Sequence, residues 1–332
     1  MKIFLIGDYY SGTGPANVTA KYIENIPGVI YLKTRNKLLR AAELFGKIIR
    51  SDVLLLSGHS KQNILSLKIA HLFKKKGAYL MHGCVEYENE INHAVDESMT
   101  KTERLTMELS DAIYAVSGQF GEWLKEHYPE YKDKIFAAEN GIDAPSFIDS
   151  NEKRKPYQLI SIGGGMPRKM IKYIAQAVTL IREEEEFYDV RLVVIGDNGF
   201  DNDEINKYSC VSNLGLVDHD TCLRLLDQSA LFVQNSCFET FGLAPLEALM
   251  HGCAVLMSKH VGATELFDAL DSQDLIEDYS DATEIAGKIK YLLTVSNNEK
   301  LRNSLDISEY SWEKRALEMT NLLGRLLHYG KI

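Results

Sequence analysis

A chain of 332 residues with 45% apolar content can bury two cores of ordinary size, because single cores stop growing well before this length. No run approaches the ~20 apolar residues of a membrane-spanning helix, and the scattered, odd-numbered cysteines (Cys84, Cys210, Cys222, Cys237 and Cys253) lack disulfide or zinc spacing, so they read as reduced thiols in a cytoplasm. The net charge of −10 argues against a nucleic-acid partner, yet residues 1–80 hold 13 Lys and Arg against 4 Asp and Glu, which leaves −19 on the other 252 residues.

The opening stretch MKIFLIGDYYSGTG is apolar only as far as Gly7 and Asp8, too short for a signal-peptide core, and reads as a buried strand. KIFLIG, GVIYL, DVLLLSG, GAYLMHG, DAIYAVS and KIFAAENG then alternate with helical stretches such as PANVTAKYIEN and QNILSLKIAHLFKKK. Alternation of this kind predicts parallel strands with helical crossovers. Within it, Leu32–Arg50 at helical spacing puts Leu38, Leu39, Ala42, Phe45, Ile48 and Ile49 on one stripe, with Lys33, Arg35, Lys37, Arg40, Lys47 and Arg50 against Glu43 alone. That is the composition of an interfacial helix. A crossover helix with its stripe buried on the sheet is the rival reading and the one strand order favours, the charges then facing outward with Lys74, Lys75 and Lys76. Val85–Arg104 is acidic and poorly periodic.

A polar run with two prolines, Ala144–Tyr157, breaks the rhythm and predicts an interdomain linker at 146–156 between domains 1–145 and 157–310. YQLISIG, VRLVVIG, CVSNLGLV, ALFVQN and CAVLMS restart the alternation, with helices near 170–186, 218–229, 244–251 and 281–294. Ser311–Gly330, within the final segment 311–332, reads as one amphipathic helix. The fold class is α/β with two Rossmann-like domains.

Ligands of open α/β sheets bind beyond the carboxyl ends of the strands. The first such loop offers Gly12 and Gly14 before a helix opened by Pro15. It is not a dinucleotide fingerprint, because Asn17 replaces the third glycine and the region that should carry an acidic ribose ligand is basic. Residues 229–258 are more informative. There Glu239 and Glu247 bracket Phe-Gly-Leu after a strand, Pro245 suits the first helical turn, and Gly252 stands where the chain leaves the helix. Such a helix N-terminus suits a diphosphate, and Glu247, expected in the first turn, can accept from ribose hydroxyls.

On these residues the chain resembles the retaining glycosyltransferases of family 4, whose two-domain fold is called GT-B. ENGID (Glu139–Asp143), AVS (Ala115–Ser117), IGDNG (Ile195–Gly199) and NLGLV (Asn213–Val217) extend the resemblance over nearly the whole chain. It implies that 1–145 binds the acceptor and 157–310 the nucleotide sugar, across a cleft, with the last helix returning to the first domain. It implies that Glu239 contacts the transferred sugar, that Phe241, Gly242 and Leu243 give amides to the donor, that Glu247 holds the ribose, and that His82, after the fourth strand, reaches the donor sugar. Thr240, Gly196, Asp197, Leu216, Gly12 and Gly14 join the expected donor contacts. The loop SIGGGMPRKM (Ser161–Met170) resembles the family's phosphate loop, with Gly164 where the first arginine belongs and with Arg168 and Lys169 left to neutralise the departing diphosphate.

Two Asp-x-Asp patterns, Asp201–Asp203 and Asp218–Asp220, fall in a polar loop and at a helix cap, so neither metal nor other cofactor is expected. The expected function is metal-independent transfer of a hexose-type sugar from a UDP- or GDP-sugar to a glycan or lipid-linked acceptor in surface-polysaccharide assembly. The expected place is the cytoplasm, either free or docked on an anionic inner membrane face. Two alternatives stay open: a non-catalytic partner subunit, favoured by the missing arginine, and a sugar-nucleotide epimerase, which would need no second acceptor.

Overall fold

The computed structural model describes residues 1–34, 36–143 and 154–329. Arg35, linker positions 146–153 and Gly330 lie outside the described residues, as do the side chains of Lys37 and Leu38. The chain divides into two compact units, one of Met1–Tyr87, Val95–Asp143 and Ile307–Ile332, the other of Glu88–Ala94 and Ala144–Asp306.

Among the described residues of the first unit, β1 (Ile3–Ile6), β2 (Ile30–Tyr31), β3 (Val53–Ser57), β4 (Lys76–Met81), β5 (Ala112–Ala115) and β6 (Ile135–Ala137) form one sheet in the order β2-β1-β3-β4-β5-β6. Every pairing is parallel. Near-continuous apolar runs such as Ile3–Ile6 and Val53–Ser57 are buried at every position, as strands covered on both faces must be. Phe4, Ile6, Leu54 and Leu56 pack there with Leu44, Ile48 and Leu67 of the crossover helices. The last helix, Trp312–Tyr329, lies in this unit, its Trp312 ring edge-on to Tyr22 of the helix Gly14–Asn25 at 5.7 Å. Gly141 makes room for that indole, since a Cβ there would stand 2.5 Å from Trp312.

In the second unit, β7 (Lys155–Ile162), β8 (Arg191–Ile195), β9 (Val211–Asn213), β10 (Ser229–Gln234), β11 (Ala254–Ser258) and β12 (Leu275–Ile276) form a parallel sheet ordered β12-β11-β10-β7-β8-β9. Leu159, Val194, Leu231 and Val233 are buried with Ile174, Val178, Ile285 and Ile289 of the helices Ile171–Ile181 and Ala282–Thr294. In each sheet the order reverses once, between β1 and β3 and between β7 and β10. Those two points are where doubly wound sheets open a crevice at their carboxyl ends.

Several sequence expectations need correction. The helix expected near 170–186 stops at Ile181, and the exposed Glu183–Glu186 follow it, the last two in a 3-10 turn, Glu185–Phe187, because four carboxylates gain nothing from continued packing. Val85–Arg104, read as poorly periodic, contributes the helix Val85–Ile91 and most of Glu97–Leu109, the latter capped by Asp96 accepting from the Met99 N–H at 2.9 Å. The strand β12 and the helix Asn298–Ser304 were not anticipated. Among the described side chains of the stripe expected on the helix Lys37–Arg50, Ile48 is buried, joined by Leu44, which the stripe omits, whereas Leu39, Phe45 and Ile49 are 64%, 47% and 44% exposed.

Candidate functional site

In the second unit, the loops after β7 and β8 lie backbone against backbone. Gly163 and Gly164 both donate to the Ile195 carbonyl, at 2.7 and 2.9 Å, and Gly165 donates to that of Asp197 at 3.0 Å. Gly164 sits at φ +56°, and a Cβ there would come within 2.0 Å of the Asp197 carbonyl oxygen. Gly196, at φ +137°, is equally pressed, since its Cβ would meet the Gly164 nitrogen at 2.4 Å. The position where the resemblance expects an arginine therefore has no room for any side chain. The cations stand just beyond, on the single turn Pro167–Lys169.

Glu239 reaches the same place from the loop after β10. Its backbone is fixed on both sides, its N–H donating to His260 at 3.1 Å and its carbonyl accepting from Gly262 at 2.9 Å. Its Oε2 accepts from Lys169 Nζ, from Arg168 Nη1 at 3.2 Å and from Gln234 Nε2 at 3.2 Å. Arg168 is held further by the Phe238 carbonyl at 3.1 Å, by Glu88 at 3.6 Å and by Asn92 Oδ1, which accepts the Arg168 N–H at 3.1 Å. Thus Lys169, Arg168 and Glu239 meet at the β7/β10 reversal, and their side chains are only 13–15% exposed.

Burial alone would raise the Glu239 pKa, but Lys169 and Arg168 outweigh it and hold the carboxyl down at about 2. Burial lowers the Lys169 pKa against the pull of Glu239, whereas for Arg168 the carboxylates of Glu239 and Glu88 overcome burial and raise it. Glu239 is thus an anion throughout the physiological range, able to accept hydrogen bonds and not to donate a proton.

Gly242, at φ +96°, then turns the chain into the helix Leu243–Met250. A Cβ at Gly242 would meet Val261 at 2.8 Å. The first N–H groups of such a helix have no intrahelical acceptor. Thr240 and Phe241 are buried beside it. Glu247 is the fifth residue of the helix and exposed, just past the first turn in which it is expected, because the helix begins at Leu243, one residue before the expected 244. Asp197 and Leu216 are exposed on the loops after β8 and β9, Leu216 at 73%.

The two Asp-x-Asp patterns are engaged structurally. Asp201 pairs with Lys172 at 3.2 Å, and Asp218 caps the helix His219–Gln228 by accepting from the Thr221 N–H at 2.8 Å.

In the first unit, the carboxyl ends of β1, β3 and β4 carry a hydrogen-bonded row. His82 Nε2 bonds Ser57 Oγ at 2.7 Å, Ser57 Oγ bonds Thr19 Oγ1 at 2.7 Å, and Thr19 donates to the Pro15 carbonyl at 2.8 Å. Burial, with a smaller push from His59, lowers the His82 pKa to about 4, so its imidazole is neutral near pH 7. Gly12, at φ +76°, and Gly14, the first residue of a helix capped by Thr13, complete the loop after β1. Ser57, His59 and Glu103 were not singled out in the sequence. The strand-end rule applied to DVLLLSGHS would have found the first two, but nothing local marks Glu103.

A model of the family described as glycosyl transferases group 1 matches residues 144–312. Among curated proteins, the chain is 24% identical over 216 residues to a probable sucrose-phosphate synthase of Thermosipho melanesiensis, an alignment covering 59% of this chain and 48% of that one. It is 23% identical to the spore coat protein SA of Bacillus subtilis, covering 61% of this chain and 62% of that protein. The chain thus spans about half the length of the first of these relatives. Among solved structures, Anabaena Alr3699/HepE in complex with UDP and glucose superposes with a TM-score of 0.69 at 14% identity, over 98% of this chain and 100% of that one. The shared architecture of two parallel α/β sheets is GT-B.

Proposed function

The chain belongs to the glycosyl transferases of group 1, and on that premise we propose that it transfers a hexose-type sugar from a UDP- or GDP-sugar to a glycan or lipid-linked acceptor with retention of anomeric configuration. The observation that carries this reading is the meeting of Lys169, Arg168 and Glu239 beside the N-terminus of the helix Leu243–Met250. Cleavage of a sugar–diphosphate bond builds negative charge on the leaving group. Two fixed cations and a helix N-terminus meet that charge without reorganising, and they need no metal to do so. Glu239, held ionised, accepts from sugar hydroxyls and favours positive charge developing at the anomeric carbon. Glu247 bonds the ribose, and Gly164, Gly196, Asp197 and Leu216 border the nucleotide.

In this reading the first unit takes the acceptor, with Gly12 and Gly14 permitting close approach and neutral His82 bonding a sugar hydroxyl. The acceptor is a surface polysaccharide or its lipid-linked precursor. The exposed Leu39, Phe45 and Ile49 beside Arg50 and Lys74 suit reversible docking on an anionic membrane. HepE was solved with UDP and glucose, which supports a uridine nucleotide as the first donor to try.

The missing arginine at Gly164 favours a second reading, a non-catalytic subunit that binds donor without turning it over. Calorimetry with UDP and GDP, followed by incubation with their glucose, galactose, mannose and N-acetylglucosamine derivatives, separates the two. The proposal expects binding and slow donor consumption. Binding without any consumption, with acceptor glycans added, would select the non-catalytic reading, and no binding would reject both.

A further inference from the structure

His59 takes no part in the donor chemistry, yet it stands at the crevice of the first sheet. It follows Gly58 at the carboxyl end of β3, the strand beside β1 where the order reverses. Its backbone is fixed from both sides. Gly58, at φ +74°, donates to the Leu80 carbonyl at 3.0 Å and accepts from Asn63 Nδ2 at 2.7 Å, while Ser60 caps the helix Lys61–Leu72.

The ring is largely buried, and its Nδ1 lies 3.7 Å from Oε1 of Glu103, a carboxylate only 2% exposed. Glu103 is itself anchored, accepting from the Val85 N–H at 2.8 Å and the Tyr79 hydroxyl at 3.5 Å. A separation of 3.7 Å is too long for a hydrogen bond, but the field of a buried carboxylate at that range favours the tautomer with its proton on Nδ1. Nε2 then carries the lone pair. It is a buried ring nitrogen with no hydrogen-bond partner among the described residues. Burial also lowers the His59 pKa, against Asp96, which keeps the ring neutral near pH 7. A buried polar atom left unpaired is destabilising, and natural structures rarely keep one without use. At a ligand-binding sheet edge the missing partner is a ligand donor. In the second unit the poorly exposed Lys169 and Arg168 are donors suited to an anion; here one neutral acceptor atom suits a hydroxyl.

We propose that His59 Nε2 accepts a hydrogen bond from a hydroxyl of the sugar acceptor, with Glu103 as the positioning residue that sets its tautomer. That the ligand is a polyhydroxylated acceptor rests on the glycosyltransferase reading; that the atom awaits a donor rests on the first unit alone.

Long-range proton–nitrogen NMR of the whole histidine-labelled chain reads the tautomer directly. The expected result is an Nδ1–H ring in the wild type and a mixture of tautomers in Glu103→Gln. Methyl glycosides of glucose, galactose, mannose and N-acetylglucosamine are then titrated in the presence of UDP. At least one should shift the His59 Nε2 resonance saturably, and His59→Ala should weaken that glycoside about tenfold. His59→Gln, which keeps an acceptor atom, should weaken it less and serves if the alanine variant fails to melt cooperatively. An Nε2–H ring in the wild type, no response to any of the glycosides, or wild-type affinity in His59→Ala and His59→Gln would overturn the proposal. The two readings fail separately: wild-type protein that binds no UDP by calorimetry but still shows the glycoside shift would remove the donor assignment and leave this one.

Discussion

In the proposed function, Glu239 is the residue on which both stability and activity should turn. Its carboxylate is shared by Lys169 and Arg168. Removing its charge leaves two close, poorly exposed cations facing each other, and breaking such a pair costs about 3–5 kcal/mol. Glu239→Gln should therefore lower the unfolding free energy of the free protein in urea titrations. UDP, which brings its own negative charge, should restore part of the loss through binding to the folded state. Lys169→Ala should act in the opposite sense toward ligand, since it removes a charged hydrogen bond worth about 1.5–3 kcal/mol, a tenfold or greater drop in UDP affinity and in kcat/KM. An equal response of both variants to UDP would contradict the division of labour assigned to the cluster.

His82 gives a second residue-scale test. Its folded pKa, about 4, lies below the ordinary histidine value because burial disfavours the cation, with a smaller contribution from the neighbouring His59. A group with a depressed pKa contributes stability that is fully present above its unfolded value, near 6.5, and is lost as pH falls toward the folded value. Stability should decline between about pH 6.5 and 4 more steeply in the wild type than in His82→Gln. Parallel slopes in the two proteins would show that the ring is not held neutral by its surroundings.

Residue placements were legible in the sequence in proportion to how local they are. Glu239, Gly242 and the helix that follows lie in one continuous segment, so their arrangement could be read from residue types and spacing. His59 and Glu103 meet only because β3 and the helix Glu97–Leu109 pack in the same unit. No periodicity carries that pairing.

At the scale of elements, the loop Gly163–Gly165 shows what a linear motif conceals. The sequence records an arginine missing at Gly164; the backbone adds that this position lies 2.0 Å from the Asp197 carbonyl in the Cβ direction and at φ +56°. Gly164→Ala should destabilise the second unit by several kcal/mol, and Gly164→Arg should do no better and restore no donor affinity. Thermal melts with and without UDP check both. An arginine variant that is folded and binds UDP more tightly would show that the loop tolerates the substitution this account forbids.

The helix Lys37–Arg50 makes the complementary point. Helical spacing groups Phe45, Ile48 and Ile49 on one stripe, but the inward face is Ile48 with Leu44, which the stripe omits, and Phe45 and Ile49 point outward. The outward Phe45 ring meets Phe73, itself 45% exposed, at 6.0 Å. Replacing Phe45 and Ile49 by serine removes apolar area from the surface and should reduce sedimentation with anionic vesicles at low salt while leaving the melting temperature nearly unchanged. Equal binding to neutral and anionic vesicles, or none to either, would remove the membrane from the account.

For the molecule as a whole, the alternation of short apolar strands with amphipathic helices was enough to foresee two parallel sheets. It could not give strand order, because order depends on which crossover passes over which face. The observed orders put the loops after β7 and β10 side by side, which turns Lys169, Arg168 and Glu239 from separate motif residues into one charged site. The central claim is that this site cleaves a sugar–diphosphate bond without a metal and with retention. Proton NMR of the anomeric signal during donor turnover by the full chain in excess chelator tests it most directly. The expected result is that the signal of an α-linked sugar nucleotide is consumed at an undiminished rate, that the first product formed is the α-anomer, and that Lys169→Ala slows this at least tenfold. Turnover that stops in chelator and returns with manganese, or a β-anomer formed first, would contradict it.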